Sequence, residues 1–414
     1  MAAETKISPK KFVFIVPDSP FLTDEKVFPF LGPLYLSAVL KQDGHDVKVI
    51  DLVQNQEIPP IEADYVGITA TTPQFPRAVE ILNAIKNRYP FQKVIIGGPH
   101  ASADPEECAR YFDMVCVGEG EDFVKDIDHE GLKGSYQQYG KLEDLDAIPL
   151  PDRGAIDMSK YHYFIDGKRT TSMLTSRGCP YNCSFCCKSP WGRGIRYRSA
   201  YNVTKEIEIL SKDYQGLMLY DDEFFLNSKR DTDIIDCLGH KGMVWRCFSR
   251  ADIILKKEGL IKFASQNGLK EILIGCESGS DDILQNINKG TSRAMNKEAI
   301  KVLKSMGVRV KAALIIGLPG ETPDTIMQTE TFCREVEPDS VDFTVLRVLP
   351  GSDIHDNPEK YDLKFKPSYK PYKTKPGGYT AGVSTKAMTA KDILDARDYL
   401  DREFNPQYYK EEKK

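Results

Sequence analysis

The sequence lacks several features that would place it in common classes of protein. It has no apolar run close to the roughly 20 residues that a membrane-spanning helix needs. Residues 1–11 are polar and carry no apolar stretch of the kind found in export signals. The net charge of −5 provides no basic field that would attract nucleic acid or an anionic membrane. The ten cysteines are therefore expected in a reducing, cytoplasmic compartment rather than in secreted disulfides.

A short segment concentrates cysteine without providing a fourth member at matching distance. Cys179, Cys183 and Cys186 have the spacing C-x3-C-x2-C. Three thiolates on one loop can bind three irons of a 4Fe–4S cluster and leave the fourth iron open for an external ligand. Structural zinc usually takes four Cys or His ligands in paired C-x2-C form, so zinc and a chance spacing are the weaker alternatives. The adjacent Cys187 is expected to be a bystander.

Apolar runs alternate with helical patterns twice along the chain, which predicts an α/β protein with two parallel sheets. In the first region the predicted strands are 12–16, 47–50, 65–69, 94–98 and 114–118, with helices at 34–41, 76–88 and near 105–111. In the second region the predicted strands are 172–175, 216–220, 245–248, 271–275, 310–316 and 340–346. Six such repeats indicate a partial (β/α) barrel, because a full barrel would have eight.

These patterns divide the sequence into four predicted parts. The first is a doubly wound, Rossmann-like domain at 1–135, and a proline-rich linker follows at 136–165. The partial barrel occupies 166–350, and a short C-terminal domain or lid, with a helix at 389–403, occupies 351–414. The cysteine loop follows the first barrel strand, at the face where barrel enzymes place their chemistry.

Around the cysteines, over roughly residues 166–350, the sequence resembles the radical SAM enzymes. The resemblance implies that the open iron binds S-adenosylmethionine, whose one-electron cleavage gives a 5′-deoxyadenosyl radical. It implies catalytic and metal-binding roles for Cys179, Cys183 and Cys186, a one-electron reductant resembling flavodoxin or ferredoxin, and low oxygen. The positions that match the family's cofactor-binding motifs are Phe185, Asp221, Asp222, Glu223, Ser249, Arg250, Glu277, Ser278 and Gly317.

The first region resembles the cobalamin-binding module that precedes the radical domain in one branch of that family. The matching loops follow its third, fourth and fifth strands and contain Thr69, Thr71, Thr72, Gly97, Gly98, Pro99, His100, Gly118, Glu119 and Gly120. Modules that supply a lower histidine ligand to cobalt carry D-x-H-x-x-G after the first strand, but here that loop is Pro17–Pro20 and has no histidine. We therefore expect cobalt without a protein histidine ligand, and His45 is expected to be a turn residue.

The resemblance implies a cobalamin-dependent radical SAM methyltransferase that methylates an unactivated carbon by way of methylcobalamin. The alternatives are a non-methylating enzyme of the same architecture, such as a cyclase, ring-contracting enzyme or oxidoreductase, and a cluster-bearing binding protein. A methylthiotransferase is disfavoured, because Cys108 and Cys116 alone would have to hold its auxiliary cluster. The substrate is expected to be a peptide, a protein segment or a small natural-product intermediate. Tyr369 and Tyr372 are candidate substrate contacts, within a basic and aromatic segment whose alternative partner is RNA.

Overall fold

The computed structural model describes residues 8–19, 22, 24–53, 57–127, 137–188, 190–365 and 379–408. These residues form two compact units. The first ends at Tyr161 and also includes 190–192, and the second comprises the remaining described residues. Within the described ranges, no helix is both long enough and apolar enough to cross a bilayer.

The first unit is built around a parallel six-stranded sheet with the strand order β2-β1-β3-β4-β5-β6. Its strands are β1 (Lys11–Val16), β2 (Asp46–Asp51), β3 (Tyr65–Thr69), β4 (Lys93–Gly97), β5 (Met114–Val117) and β6 (Gln137–Gln138). Its helices are α1 (Leu31–Gln42), α2 (Phe75–Arg88), α3 (Pro99–Ala103), α4 (Pro105–Cys108) and α5 (Gly120–Asp126). This arrangement confirms the predicted doubly wound fold.

The order of the central strands determines where this unit can bind a ligand. Connections leave β1 in opposite directions, since β2 lies on one side of it and β3 on the other. Open parallel sheets bind ligands beyond the carboxyl ends of the strands at such a switch point. Helix α2 packs its apolar face against the sheet through the buried residues Ala78, Ile81 and Ile85. This packing involves the face of the sheet and not the loops at the carboxyl ends of its strands.

The second unit contains a seven-stranded sheet with the order β15-β14-β13-β12-β11-β8-β7, in which the six strands from β15 to β8 are parallel. The antiparallel β7 pairs with β8. The bounds are β7 (Tyr163–Ile165), β8 (Lys168–Met173), β11 (Gly216–Leu219), β12 (Val244–Ser249), β13 (Leu269–Glu277), β14 (Arg309–Ile316) and β15 (Ser340–Val345). The six parallel strands confirm the predicted partial (β/α)6 barrel.

Helices follow the barrel strands in the second unit. They are α6 (Ala200–Leu210), α7 (Ser228–His240), α8 (Ala251–Lys256), α9 (Glu258–Gln266), α10 (Asp281–Asn286), α11 (Arg293–Ser305), α12 (Pro323–Val336), α13 (Asp353–Asp356) and α14 (Ala390–Phe404). Two small antiparallel pairs complete the unit: β9 (Ser176–Arg177) with β10 (Arg196–Tyr197), and β16 (Lys364–Phe365) with β17 (Val383–Ser384).

Local differences from the predicted elements have identifiable causes. The first barrel strand is Lys168–Met173 rather than 172–175. Its residues Thr170 and Thr171 are buried although they are polar, so a prediction based on apolar residues misses the first part of the strand. The buried Thr170 hydroxyl has a hydrogen-bond partner, because it donates to the Lys168 carbonyl at 2.9 Å. The helix predicted near 105–111 is the short helix Pro105–Cys108, which the extended residue Asp104 separates from α3.

The C-terminal helix α14 covers the open edge of the barrel sheet. Arg397 Nε donates to the Phe343 carbonyl and Asn405 Nδ2 to the Val341 carbonyl, both at 2.9 Å. These carbonyls belong to β15, the last strand of the sheet, where unpaired backbone groups would otherwise be exposed. Side chains from α14 therefore take the place that a further strand would occupy in a complete barrel.

Candidate active site

The three cysteines lie on the loop that leaves the carboxyl end of β8. Cys179 and Cys183 are half-buried, and Cys186 is exposed. The backbone of Ser184, between them, donates to the Ile287 carbonyl at 2.9 Å and accepts from the Ile354 amide at 3.1 Å. The loop is thus attached to two other parts of the same unit, which keeps the thiols at the barrel's carboxyl end.

The three thiols form a donor set that fits an iron–sulfur cluster, because thiolates are the usual ligands of such clusters. All three cysteines are free, and among the described residues no three Cys, His, Asp or Glu side chains converge on one point as ligands of one ion. A cubane does not require such convergence, because each thiolate binds a different iron. Burial raises the pKa of Cys179, because it disfavours the charged thiolate. A bound metal would stabilise the thiolate and so reverse this effect. Cys187 is half-buried beside Cys186.

Asp221 anchors the residues that lead into the cysteine loop. Its buried carboxylate accepts hydrogen bonds from the Thr175 amide at 2.6 Å, from the Thr175 hydroxyl at 2.5 Å and from the Ser176 hydroxyl at 2.6 Å. All of these donors lie within four residues of Cys179. The described contacts of Asp221 are therefore made to the protein itself, and they position the loop.

Two buried arginines, which were not among the predicted site residues, hold the same segment. Arg198 Nη1 donates to the Leu174 carbonyl at 2.7 Å and pairs with Glu206 at 2.6 Å. Arg230 donates to the Thr175 carbonyl at 2.5 Å. One signal for this support was present in the sequence, since Arg196–Ser199, just before helix α6, also resembles the pattern of the radical SAM enzymes. No such signal was present for Arg230.

The other two acidic residues after β11 have different surroundings. Asp222 is exposed, whereas Glu223 is buried and accepts from the Ser249 hydroxyl at 2.6 Å. Burial raises the pKa of Glu223 to about 8, although the Ser249 hydroxyl and the Arg250 guanidinium counteract the effect. Both carboxylates also act electrostatically on Cys179. The structure therefore brings these predicted cofactor contacts together beside one cysteine.

Arg250 lies against the cysteine loop. Its Nη1 is 3.7 Å from Cys183 Sγ, and its guanidinium carbon is 3.7 Å from the centre of the Tyr181 ring. Nε donates to Asp252 at 2.9 Å, and Nη2 donates to the Lys289 carbonyl at 2.6 Å. Tyr181 was not among the predicted site residues.

A buried ion pair occupies the end of β13. Lys289 Nζ is 2.6 Å from Glu277 Oε1. Burial alone would lower the pKa of Lys289, but Glu277 and the Cys183 thiol raise it, so the ammonium stays charged. Glu277 has a left-handed φ of 62°, next to an irregularity in the β13–β14 register. Such backbone strain costs about 1–3 kcal/mol and is concentrated at functional sites.

Phe185 is half-buried, and its ring centre lies 6.0 Å from Lys289 Nζ. The Lys289 cation therefore lies near both a cysteine of the loop and the aromatic residue predicted to pack beside adenine. No sequence pattern pointed to Lys289, because it lies between two helices, in a turn without a recognisable motif.

Ser278 and its neighbour Gly279 face helix α12. The Gly279 amide donates to Thr329 Oγ1 at 3.0 Å, and Ser278 Oγ is 3.3 Å from the same oxygen. A Cβ added to Gly279 would lie 2.6 Å from Thr329 Cα. Their described contacts are thus with the protein itself, and the predicted role of Ser278 in cofactor binding stays a prediction.

Gly317 faces the C-terminal segment. It has φ +92°, and a Cβ there would lie 3.0 Å from Ile393 and 3.1 Å from Val383. Its amide donates to the fully buried Glu321, and burial raises the pKa of that carboxyl to about 8. A glycine is needed here because the turn is left-handed and because α14 and β17 pack against it. An approach to adenine by this turn stays a prediction.

In the first unit, the predicted cobalamin loops meet at the carboxyl edge of the sheet. Ser102 joins two of them, since its hydroxyl donates to the Gly98 carbonyl and accepts from the Gly118 amide, both at 3.0 Å. Gly98 has φ +93°, and a Cβ there would lie 2.7 Å from Thr69 Oγ1. The conformation of Gly98 is therefore required by the chain's own packing, whatever the loop binds.

His100 is buried under these loops. Its Nδ1 lies 3.2 Å from Thr72 Oγ1, and its ring centre is 4.2 Å from that of Phe75. Burial lowers the pKa of His100 to about 4, so the ring is neutral at ordinary pH. Thr71, which precedes Thr72, caps the following helical turn through Gln74.

Of the remaining cobalamin candidates, Gly97 ends β4, and Pro99 is exposed at the start of α3. Glu119 is buried and accepts from the Leu142 amide at 3.3 Å. Gly120 begins α5 and packs near Leu36.

The loop after β1 contains no histidine, and its described side chains contact other residues of the first unit. In it, the buried Asp18 pairs with Arg77 Nε at 2.6 Å, and Gln74 Nε2 donates to Ser19 Oγ at 2.9 Å. His45 lies just before β2, at the opposite end of the strands, and its Nδ1 accepts from the Lys10 amide at 3.2 Å. It is a turn residue, as predicted. Tyr369 and Tyr372 lie outside the described residues.

Two family models match the sequence. The Radical SAM superfamily model matches residues 173–333, and the B12 binding domain model matches residues 22–128. The first match contains the cysteine loop and the ends of β11 to β14. The second contains all of the strand-end loops predicted to bind cobalamin.

Curated relatives cover most of the chain. The uncharacterized methyltransferase PH0819 of Pyrococcus horikoshii is 32% identical over 358 residues, which are 78% of this chain and 77% of that protein. The anaerobic magnesium-protoporphyrin IX monomethyl ester cyclase of Rubrivivax gelatinosus is 29% identical over 77% of this chain, which spans only 64% of that enzyme. The bacteriochlorophyllide d C-12(1)-methyltransferase of Chlorobaculum tepidum is 25% identical over 85% of this chain and 79% of its own length.

Solved structures share the fold of the whole chain. The radical S-adenosylmethionine methyltransferase TsrM from Kitasatospora setae, with cobalamin and a 4Fe–4S cluster bound, matches 89% of this chain and 82% of its own with a TM-score of 0.69. The cobalamin-dependent S-adenosylmethionine radical enzyme OxsB, with aqua-cobalamin bound, matches 97% of this chain and 68% of its own with a TM-score of 0.74. Both are 17% identical in sequence, so the likeness is one of fold.

Proposed function

Because the chain belongs to the cobalamin-binding radical SAM enzymes, we propose that it is a methyltransferase that transfers a methyl group to an unactivated carbon. The observation that carries this proposal is the combination, in one chain, of an open three-cysteine loop at the carboxyl end of a partial barrel and a B12-binding domain with a ligand edge of its own. Names of relatives that include methyltransferases support it.

The bound cofactors would supply one-electron cleavage of a sulfonium and transfer of a methyl group, chemistry that the protein orients but does not itself perform. Cys179, Cys183 and Cys186 would hold the cluster. Asp221 and Arg230 keep the cysteine loop in place through the backbone of Thr175.

The electrostatic surroundings of the cysteines are uneven. Cys179 lies near Asp222, Glu223 and Lys188. Cys183 lies near Arg250 and Lys289, which are themselves paired with Asp252 and Glu277. Near Cys179, the acidic Asp222 suits the ammonium of S-adenosylmethionine, and near Cys183 the two cations suit the negative charge of an iron–sulfur cluster. We propose this division as the basis on which the site orients its cofactors.

The acceptor proposed for the methyl group is a carbon of a peptide, a protein segment or a small natural-product intermediate. The TsrM structure determined with its tryptophan substrate and a SAM analogue supports the small-molecule option. A one-electron donor resembling flavodoxin or ferredoxin is proposed as the physiological reductant.

A second candidate function is a radical reaction without methyl transfer. It is favoured by the two cyclase relatives, which are 29% and 27% identical over 77% and 87% of this chain. The two functions differ in their co-products. Methylation gives both S-adenosylhomocysteine and 5′-deoxyadenosine, whereas a purely radical reaction gives 5′-deoxyadenosine alone.

The test is anoxic reconstitution with iron, sulfide and cobalamin, followed by incubation with S-adenosylmethionine, a chemical reductant and mixtures of candidate acceptors. We expect bound iron and cobalt, both co-products, and an acceptor product heavier by CH2. The triple variant Cys179→Ala/Cys183→Ala/Cys186→Ala should lose iron and S-adenosylmethionine cleavage, and the matched control Cys187→Ala should keep both. Cleavage by the triple variant, or a wild-type chain that binds neither iron nor cobalt, would refute the proposal.

A further inference from the structure

The guanidinium of Arg250 is fixed in place on every side. It stacks on Tyr181 at 3.7 Å, donates from Nε to Asp252 and donates from Nη2 to the Lys289 carbonyl. Only 6% of Arg250 is exposed. A long side chain loses much rotational freedom when it is held in this way, so these contacts indicate that one orientation matters.

The fixed orientation directs the remaining nitrogen at one sulfur. Nη1 lies 3.7 Å from Cys183 Sγ, which is within hydrogen-bonding range for sulfur. Because Nε and Nη2 are already engaged, the edge of the guanidinium that they form cannot also make a paired contact with the carboxylate of a bound cofactor.

We propose that Arg250 raises the reduction potential of the iron–sulfur cluster by donating a hydrogen bond to the sulfur of Cys183. Adding an electron makes the cluster more negative, and a cation and a hydrogen bond at a ligand sulfur stabilise that state more than the oxidised one. The Arg250 guanidinium is buried, so solvent screens its charge less than it would at the surface. The inference rests on the proposed function, and it assigns Arg250 a positioning and electrostatic role distinct from the predicted contact with S-adenosylmethionine.

The chain provides a control in Arg246, which lies in β12, the strand that ends immediately before Arg250. Arg246 is also buried, with 8% exposed, but it pairs with Glu271 at 2.9 Å and donates a hydrogen bond to the Tyr163 hydroxyl. Replacing either arginine by glutamine removes one buried positive charge, and only Arg250→Gln removes the donor to Cys183.

The experiment is an anoxic redox titration monitored by electron paramagnetic resonance, without S-adenosylmethionine, on chains whose iron and sulfide contents are measured first. At the midpoint potential of the wild type, Arg250→Gln should lower the ratio of reduced to oxidised cluster about tenfold, which corresponds to ~59 mV for one electron. Arg250→Lys should give a smaller decrease, since it keeps the charge and loses the planar fork. Tyr181→Leu, which removes the platform, should also lower the ratio, and Arg246→Gln should leave it at the wild-type value.

The outcomes separate this inference from the proposed function. An intact cluster with an unchanged ratio in Arg250→Gln refutes only the inference. The same holds if Arg246→Gln lowers the ratio equally, or if folded Arg250→Gln binds no cluster, because Arg250 would then support the loop instead. The affinity of Arg250→Gln for S-adenosylmethionine is measured in a separate titration. If that affinity is weaker than in the wild type while the ratio of reduced to oxidised cluster is unchanged, Arg250 contacts the cofactor and the inference is refuted. A wild-type chain without cluster refutes both.

Discussion

Replacing Asp221 tests whether the cysteine loop is held by the carboxylate beneath it. Asp221 is 1% exposed and accepts three hydrogen bonds from Thr175 and Ser176. Its neighbour Asp222 is more exposed and accepts a backbone hydrogen bond from Gly178 rather than from Thr175, so it is a control for the Thr175 contacts in the same turn. The variants to compare are Asp221→Asn and Asp222→Asn, which make the same chemical change on the two sides of one peptide bond.

The magnitude follows from the loss of charge on the acceptor. A hydrogen bond to a charged group contributes about 1.5–3 kcal/mol and a neutral one about 0.5–1.5 kcal/mol, so each of the three bonds weakens by roughly 1 kcal/mol. The sum of roughly 3 kcal/mol is an upper range, since the three bonds share one acceptor group and are not independent. A free energy of that size corresponds to about a 100-fold change in a local opening equilibrium.

Hydrogen–deuterium exchange of the apoprotein measures this opening directly at the Thr175 amide. We expect exchange of Thr175 to accelerate by up to about 100-fold in Asp221→Asn, with reduced iron uptake on reconstitution. Asp222→Asn should exchange like the wild type. If Thr175 exchanges at the wild-type rate in Asp221→Asn, or accelerates equally in both variants, then Asp221 does not hold the loop.

Three further predictions test other parts of the structure. Gly98→Ala should destabilise the first unit and reduce cobalamin uptake, because φ is +93° and the new Cβ would lie 2.7 Å from Thr69 Oγ1. Adding Thr69→Ala should restore part of the stability, and chemical unfolding with a cobalamin binding assay checks this; wild-type stability of Gly98→Ala would contradict it. Gly279→Ala should destabilise the second unit by about 2 kcal/mol or more, since the new Cβ would lie 2.6 Å from the backbone of helix α12. In the control Gly259→Ala, the new Cβ has no atom within 4 Å, so this variant should be neutral or slightly stabilising. Equal unfolding midpoints of the two variants would contradict this prediction. Burial raises the pKa of Glu321 from 4.5 to about 8, so the folded chain favours the protonated carboxyl. The contribution of this carboxyl to the free energy of unfolding is therefore complete below pH 4.5 and is lost as the pH rises to about 8. As the pH is raised from 6 to 8, the free energy of unfolding of the wild type, measured in urea, should therefore decrease relative to that of Glu321→Gln by up to roughly 1.4 kcal/mol per pH unit. A difference between the two proteins that does not change with pH would contradict this prediction.

The sequence predicted most of the fold because both sheets follow simple periodic rules. Buried parallel strands appear as continuous apolar runs, and the run at 12–16 predicted the first strand in this way. The exception was the first barrel strand, where polar threonines are buried, so hydrophobicity placed that strand too late. Helix bounds such as those of α4 depend on local breaks like the one at Asp104, which periodicity does not record.

The candidate site divides in the same way. Spacing along the chain indicated the cysteine loop, because its three thiols are close in sequence. Arg250 and Glu277 were also indicated, as residues at or just after the ends of strands. The partners of these residues were not predictable, since Lys289 and Tyr181 reach them from other loops. The domain boundaries and the individual cofactor contacts stay predictions.

By itself, the sequence determined the class of the protein, since the three-cysteine spacing and the order of strands and helices are properties of the chain read in line. Only the tertiary structure decided which polar residues face the cofactor site and which support it. Asp221 and Asp222 are adjacent and chemically identical, yet one is buried under the Thr175 backbone and the other is exposed. The physical reason is that hydrogen bonds and ion pairs depend on distances in space, and folding sets those distances between residues that the sequence leaves far apart.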